Sequence, residues 1–291
     1  MALTIGTNNA ALNSAASASS VNRDIEISMA RLSSGKRINS ASDDAAGVAI
    51  SSRLTAEIRG TNQAIRNALD AQALIDTAEG AYKQLEEIFQ RIREFSVQAA
   101  NDTNNSQDRL NLTVEHAQLS LQSTHIFSST TWAGTEIMTG SSFSFQVGAH
   151  IDAKNQIFVQ PKSITEIYDA TNLTYYDWNN DPEGIVAAAG GEMWNVQRYW
   201  TDQISFNERW IENTNLARSE LGAISNRLNH VVNNLTNISI NLTAAKGGIE
   251  DADFALETTQ LAKNQILQQA STAMLAQANA SKQNVLSLLQ G

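Results

Sequence analysis

Between residues 221 and 245 the apolar side chains keep an alternating rhythm. Leu221, Ile224, Leu228, Val231, Leu235, Ile238, Leu242 and Ala245 follow one another at steps of three and four. That spacing places one narrow apolar stripe along a helix, the seam of a coiled coil. The residues between are mostly polar, among them Arg227, Asn229, Asn233, Asn234 and Asn237. A helix built this way cannot bury its stripe alone, so it needs partner helices. Leu at the first core position with Ile or Val at the second favours bundles larger than dimers in parallel self-assembling coils. The expected fold is mainly α: a long antiparallel helical bundle.

The remaining composition agrees. The 291 residues include two prolines and no cysteine, so helix breakers are few and disulfides and thiolate metal sites are excluded. A net charge of −10 leaves no basic patch for phosphates, and no nucleic acid partner is expected. No apolar run reaches the roughly 18 residues that a membrane helix requires, so no membrane span is expected. The N-terminus lacks the basic start and apolar block of a general secretory signal peptide.

Residues 1–22 carry no charged side chain, yet Val21, Ile25, Met29 and Leu32 fall at helical spacing. Residues 33–44 form a Ser- and Asn-rich break, with Ser42 as the expected cap of a long helix that reaches about residue 101. Its apolar marks include Ile65, Leu69, Tyr82, Leu85, Phe89 and Ile92. A second helix, 107–124, presents Leu110, Val114, Ala117 and Leu121 on one face. Phe143, Phe145 and Val147 then alternate with polar residues, and Ile157 and Val159 follow a turn, which predicts a small β-hairpin. Residues 163–200 are rich in Tyr and Trp. The seam helix is expected to start near Met193 and to stop at Gly247 and Gly248. A last helix, from about 251 to 289, repeats at eleven through Leu256, Leu267, Ala278 and Leu289, with Met274 and Val285 in parallel. Both chain ends are nearly uncharged, and they are expected to pair with each other at one end of the bundle. Pairing Leu12, Val21, Ile25 and Leu32 with Leu267, Met274, Val285 and Leu289 would bury both stripes together.

Three blocks carry a family likeness. Residues 31–51 read RLSSGKRINSASDDAAGVAIS, residues 90–101 read QRIREFSVQAAN, and residues 248–291 run GIEDADFALETTQLAKNQILQQAS through to LLQG. They resemble bacterial flagellin, the subunit of the flagellar filament, over about residues 1–135 and 205–291. The resemblance implies export in unfolded form through the flagellar type III channel, without a cleaved signal peptide. It also implies polymerisation with copies of itself outside the cell. On this likeness residues 1–40 and 250–291 form an inner-tube domain. Residues 41–165 and 193–249 form an outer-tube bundle, and residues 163–200 a short variable lobe. The implied partners are the chain itself, an export chaperone, and the cap and hook-junction proteins. The host Toll-like receptor for flagellin is a further one. For that receptor Gln90, Arg91, Phe95 and Glu115 match the family's contact positions, with Phe95 where many members have leucine. Lys282 stands where many members have a proline, so the tail helix is expected to run on.

No catalytic constellation is present. His116, His125, His150 and His230 lack metal-ligand spacing and read as packed or solvated residues. Asp177, Asn179 and Asp181 begin like a calcium loop, but Pro182 and Ala188 occupy the positions that require glycine and glutamate. No cofactor and no metal are expected. Two other non-enzymatic readings remain. A hook–filament junction protein shares terminal helices of this type but usually has a longer middle. A secreted translocator usually carries long apolar segments, which this chain lacks.

Overall fold

The computed structural model describes residues 7–168 and 197–290, with side chains for 7–168 and 199–281. Six helices occur among them: α1 (Asn9–Ser34), α2 (Ala45–Ala99), α3 (Ser106–Ser129), the single turn α4 (Ile164–Ile167), α5 (Gln197–Glu250) and α6 (Phe254–Gln290). Four short strands lie between α3 and α4: β1 (Thr131–Trp132), β2 (Thr135–Glu136), β3 (Phe143–Gln146) and β4 (Gln156–Val159). The chain divides into two compact units, Met1–Ile58 with Ile240–Gly291, and Arg59–Ser239.

In the second unit α2 and α5 run antiparallel with matching heptad seams. On α2 the buried series is Thr61, Ala64, Ala68, Ala71, Ile75, Ala78, Tyr82, Leu85, Phe89, Ile92, Ser96 and Ala99. On α5 the seam foreseen from Leu221 extends back through Ala217, Thr214, Trp210, Asn207 and Gln203 to Trp200. Cross-links fix the register: Gln72 donates to Asn229 at 2.8 Å, Arg218 pairs with Glu86, and Asn207 donates to Ser96 at 3.3 Å. This register sets the alanines of α2 against Leu228 and Leu235, and the bulky Tyr82–Phe89 stretch against Thr214 and Ala217. Large residues face small ones, which lets both helices approach and fill the space between. It also explains why Leu69, one of the apolar marks of this helix, lies exposed: the seam runs along the alanines beside it.

The two hairpins extend this core. β3 pairs antiparallel with β4, Phe145 opposite Ile157, as foreseen. β1 and β2 form a smaller hairpin whose two-residue turn, Ala133 (φ 49°) and Gly134 (φ 82°), is left-handed at both positions. Such a turn matches the twist of the strands it joins. Tyr168 packs edge-on against Trp210, with ring centroids 4.5 Å apart, and against Phe89 at 5.8 Å. Its hydroxyl meets Ser123 Oγ at 2.6 Å, and burial pushes its pKa up to about 12. Tyr175, Tyr176, Trp178 and Trp194 lie outside the described residues.

Several expectations are corrected. α3 buries Arg109, Thr113, His116, Ser120, Ser123 and Phe127, while Leu110, Val114 and Leu121 of its apolar face are exposed. The cap of α2 is Asp44, whose carboxylate accepts from Gly47 N at 2.8 Å, and not Ser42. Asp43 instead closes the preceding turn, accepting from the backbone of Ser40 and Asn39, and those hydrogen bonds lower its pKa. Helix α5 does not stop at Gly247 and Gly248 but continues to Glu250. Neither glycine has a positive φ. A Cβ at Gly247 would approach only the end of the flexible Asp251 side chain, at 2.8 Å, so neither backbone conformation nor space demands glycine there. Helix α6 passes Lys282 without a break, as expected from the missing proline.

Candidate assembly surfaces

In the first unit α1 and α6 pair antiparallel. Asn8 donates to the Ala278 carbonyl at 3.1 Å, Gln268 to Asn22 at 2.6 Å, and Arg31 to Glu257 at 2.9 Å. The inward residues of α1 are Ala11, Ser14, Ala18, Val21, Ile25, Ser28 and Leu32, a heptad series. Those of α6 are Glu257, Leu261, Asn264, Gln268, Ser271, Leu275 and Ala278, another. Most of these residues are small or polar.

Many of the bulkier apolar residues point the other way. Of the expected assembly residues, Val21, Ile25 and Leu32 are half-buried in the seam, whereas Leu12 is 61% and Met274 63% exposed, and Leu267 is exposed too. The expectation that one chain buries both stripes against each other is therefore corrected for these three. Leu256 and Leu267 of the eleven-residue repeat form an outward stripe, joined by Phe254 and Ile266 on the exposed surface of the same helix. The inward seam keeps a period of seven. Val285 and Leu289 lie on α6, and their side chains fall outside the described residues. An isolated helix pair that hides small polar residues and shows large apolar ones is built for further neighbours.

The seam of α5 has a similar grading. Leu221, Leu228 and Leu235 are buried, Ile224, Val231 and Leu242 half-buried, and Ile238 exposed.

On the α2–α3 surface, Gln90, Arg91 and Glu115 are exposed. Arg91 pairs with Glu94 at 2.7 Å and Glu115 at 3.9 Å, and its guanidinium lies 4.3 Å over the Phe95 ring. Phe95 itself is only 3% exposed, so it supports Arg91 from beneath and offers little surface of its own. The exposed Val97, Leu110, Val114 and Leu121 also lie on these two helices.

One feature escaped the sequence reading. Residues 35–37 pair with 250–252 as a short antiparallel clasp: Arg37 N donates to Glu250 O at 2.6 Å and Ala252 N to Gly35 O at 3.0 Å. The Glu250 carboxylate accepts from Ser51 Oγ and meets Lys36 Nζ at 3.1 Å and Lys246 Nζ at 3.8 Å. Arg31 and Glu257 form the next layer. The available signal was charge placed within the heptad series of the two chain ends. Among the described residues no group of three His, Asp or Glu side chains could hold a metal, and no helix is long and apolar enough to cross a membrane.

Comparison with known proteins matches the two ends of the chain. Residues 5–142 match the bacterial flagellin N-terminal helical region, and residues 204–289 the bacterial flagellin C-terminal helical region. Flagellin E of Vibrio cholerae is 31% identical over 377 aligned residues, covering 100% of both chains. The flagellin of Bacillus subtilis is 36% identical over 306, covering 98% of this chain and 99% of its own. Among solved structures, one described as a flagellar hook-associated protein from Vibrio parahaemolyticus shares the fold at 16% identity. It covers 72% of this chain and 100% of its own, with a TM-score of 0.59.

Proposed function

This chain belongs to the bacterial flagellin family and is a structural subunit of the extracellular flagellar filament rather than an enzyme; on that premise we propose how it reaches the filament and assembles there. It is exported unfolded by the flagellar type III system, without a cleaved signal peptide. An export chaperone meets it before export, and cap and hook-junction proteins meet it at the growing end. Residues 1–40 and 250–291 form the inner tube, and 41–165 with 193–249 the outer tube. Residues 163–200 form a small outer lobe.

The observation that carries this reading is the outward placement of Leu12, Leu256, Ile266, Leu267 and Met274. These side chains are covered by α1 and α6 of other copies. The inward residues of the terminal pair, most of them small or polar and half-buried, bury too little apolar surface to offset the backbone entropy of ordering both helices, about 1–2 kcal/mol per residue. The termini are therefore disordered in the exported monomer and helical in the filament, and disorder lets the chain thread a channel. The α3 stripe is a lateral contact between copies. The host Toll-like receptor is a second partner of the monomer. The reading is supported by the exposed Arg91, held by Glu94 and Glu115 over Phe95.

Deletion of residues 262–291 tests the assembly reading. The truncated protein is expected to stay soluble and folded and to form no tubes by electron microscopy. Tubes from the truncated chain would overturn it.

A further inference from the structure

We propose that Glu250 is the positioning residue that sets the register of the terminal helix pair. The inference rests on the reading that α1 and α6 pair in the filament. Their seam is poorly equipped to choose its own register. Val21, Ile25 and Leu32 of α1 and Leu261 and Leu275 of α6 are its larger knobs, and the other positions are held by small or polar residues such as Ala11, Ser14, Ala18, Asn264, Gln268 and Ser271. A slide by one heptad, about 10 Å along the axis, keeps seam positions facing seam positions, and with so many small residues among them size alone does not forbid it. Specific knobs in specific holes are what normally hold a coiled coil in place.

The clasp supplies what the seam lacks. α1 ends at Ser34 and α6 begins at Phe254, immediately beyond the paired residues 35–37 and 250–252. Any slide of α6 along α1 must first break that pairing. Two backbone hydrogen bonds are a weak lock alone. The Glu250 carboxylate strengthens it by joining three segments: Lys36 from the loop, Ser51 from α2 and Lys246 from α5. Its side chain is only 15% exposed, so these contacts are screened less than surface pairs. Arg37 adds a secondary tie, donating to the Ile249 carbonyl at 2.8 Å. The buried Glu257, paired with Arg31 on the first turns beyond the clasp, then fixes the first layer of the seam.

The chain has no cysteine, so introduced pairs report position cleanly. The observed register sets Ala18 opposite Ser271. Filaments carrying Ala18→Cys with Ser271→Cys sample the native register. Ala18→Cys with Asn264→Cys or Ala278→Cys samples a slip of one heptad either way. After oxidation and denaturation, a link within one chain keeps the monomer mass, while links between chains give dimers. In the parent, the 18–271 link is expected to exceed the shifted links by roughly tenfold or more, the worth of hydrogen bonds to a charged group. In Glu250→Ala the shifted links should rise to a comparable level, and Glu250→Gln, which keeps an acceptor for Ser51, should fall between. An unchanged 18–271 preference in Glu250→Ala overturns the proposal. Should Glu250→Ala not assemble, Glu250→Gln decides: a raised shifted share supports the proposal and an unchanged one overturns it. A parent filament lacking the 18–271 link would refute the pairing of the termini itself, a separate failure from that of Glu250.

Discussion

Acid should loosen the second unit through His116. The ring is 3% exposed and stands edge-on to Trp200, with centroids 5.9 Å apart. Burial lowers its pKa from 6.5 to about 4. On its own helix the charged neighbours are Arg109, on the same buried face, and Glu115, which points outward. The seams packed nearby present uncharged residues: Ile92 and Ser96 from α2, Trp200, Gln203 and Asn207 from α5. A base with a depressed pKa contributes nothing unfavourable above pH 6.5. As pH falls toward 4, the unfolded chain takes up a proton that the folded one refuses. At 1.36 kcal/mol per unit, the difference costs about 3 kcal/mol by pH 4 and does not grow below it. That is a large part of the stability of a typical domain. All five tryptophans lie between residues 132 and 210, so their fluorescence reports this unit alone. Urea unfolding of the monomer, followed by that signal from pH 7 to pH 4, measures the loss. The carboxylates also titrate in this window, but they are shared with a His116→Gln variant. The parent should therefore lose about 3 kcal/mol more than the variant between the two limits. Parallel stability curves would mean that His116 is protonated in the folded state at little cost, and the reasoning would fail.

Two further outcomes are expected. Val114→Asp, at a position 53% exposed on α3, should change monomer stability by no more than about 0.5 kcal/mol yet raise the protein concentration needed for filament growth, read by light scattering. Arg91→Ala should weaken activation of the Toll-like receptor in a reporter-cell assay by roughly thirtyfold, about 2 kcal/mol for an interface arginine, and equal potency would remove that partner.

Legibility in the sequence followed the size of the residues on each seam. The stretch from Leu221 was readable because leucines mark every first core position. Its continuation to Trp200 was not, because Thr214, Asn207 and Gln203 occupy core positions there. The inward face of α1 was read only at Val21, Ile25 and Leu32 for the same reason: Ala11, Ser14, Ala18 and Ser28 do not stand out in a chain rich in Ala and Ser. On α3 the apolar stripe was legible as one face of a helix but its direction was not: the bundle buries the polar stripe and exposes Leu110, Val114 and Leu121. In a chain that assembles with copies of itself, an apolar stripe names a contact without saying whether it lies within one molecule. Gly247 misled in another way. Glycine was read as a helix stop, whereas here it lies inside the helix without a positive φ. Within the candidate surfaces, the exposure of Arg91 and Glu115 followed from helical phasing, but the burial of Phe95 depended on tertiary packing.

The clasp and the pairing beyond it have a consequence for the time course of folding. The contacts that join α1 to α6 link residues 226 positions apart at Arg31 and Glu257, and 270 apart at Asn8 and Ala278. They are among the highest-order contacts a chain of this length can make. The hairpins and the α2–α3 turn close loops of a few residues, and such short loops form in well under a millisecond. Closure entropy grows only slowly with loop length, so distance along the chain is no thermodynamic obstacle. It is a kinetic one, since non-local contacts are reached last. Whichever end of the polypeptide emerges first must wait, unpaired, until the opposite end has arrived.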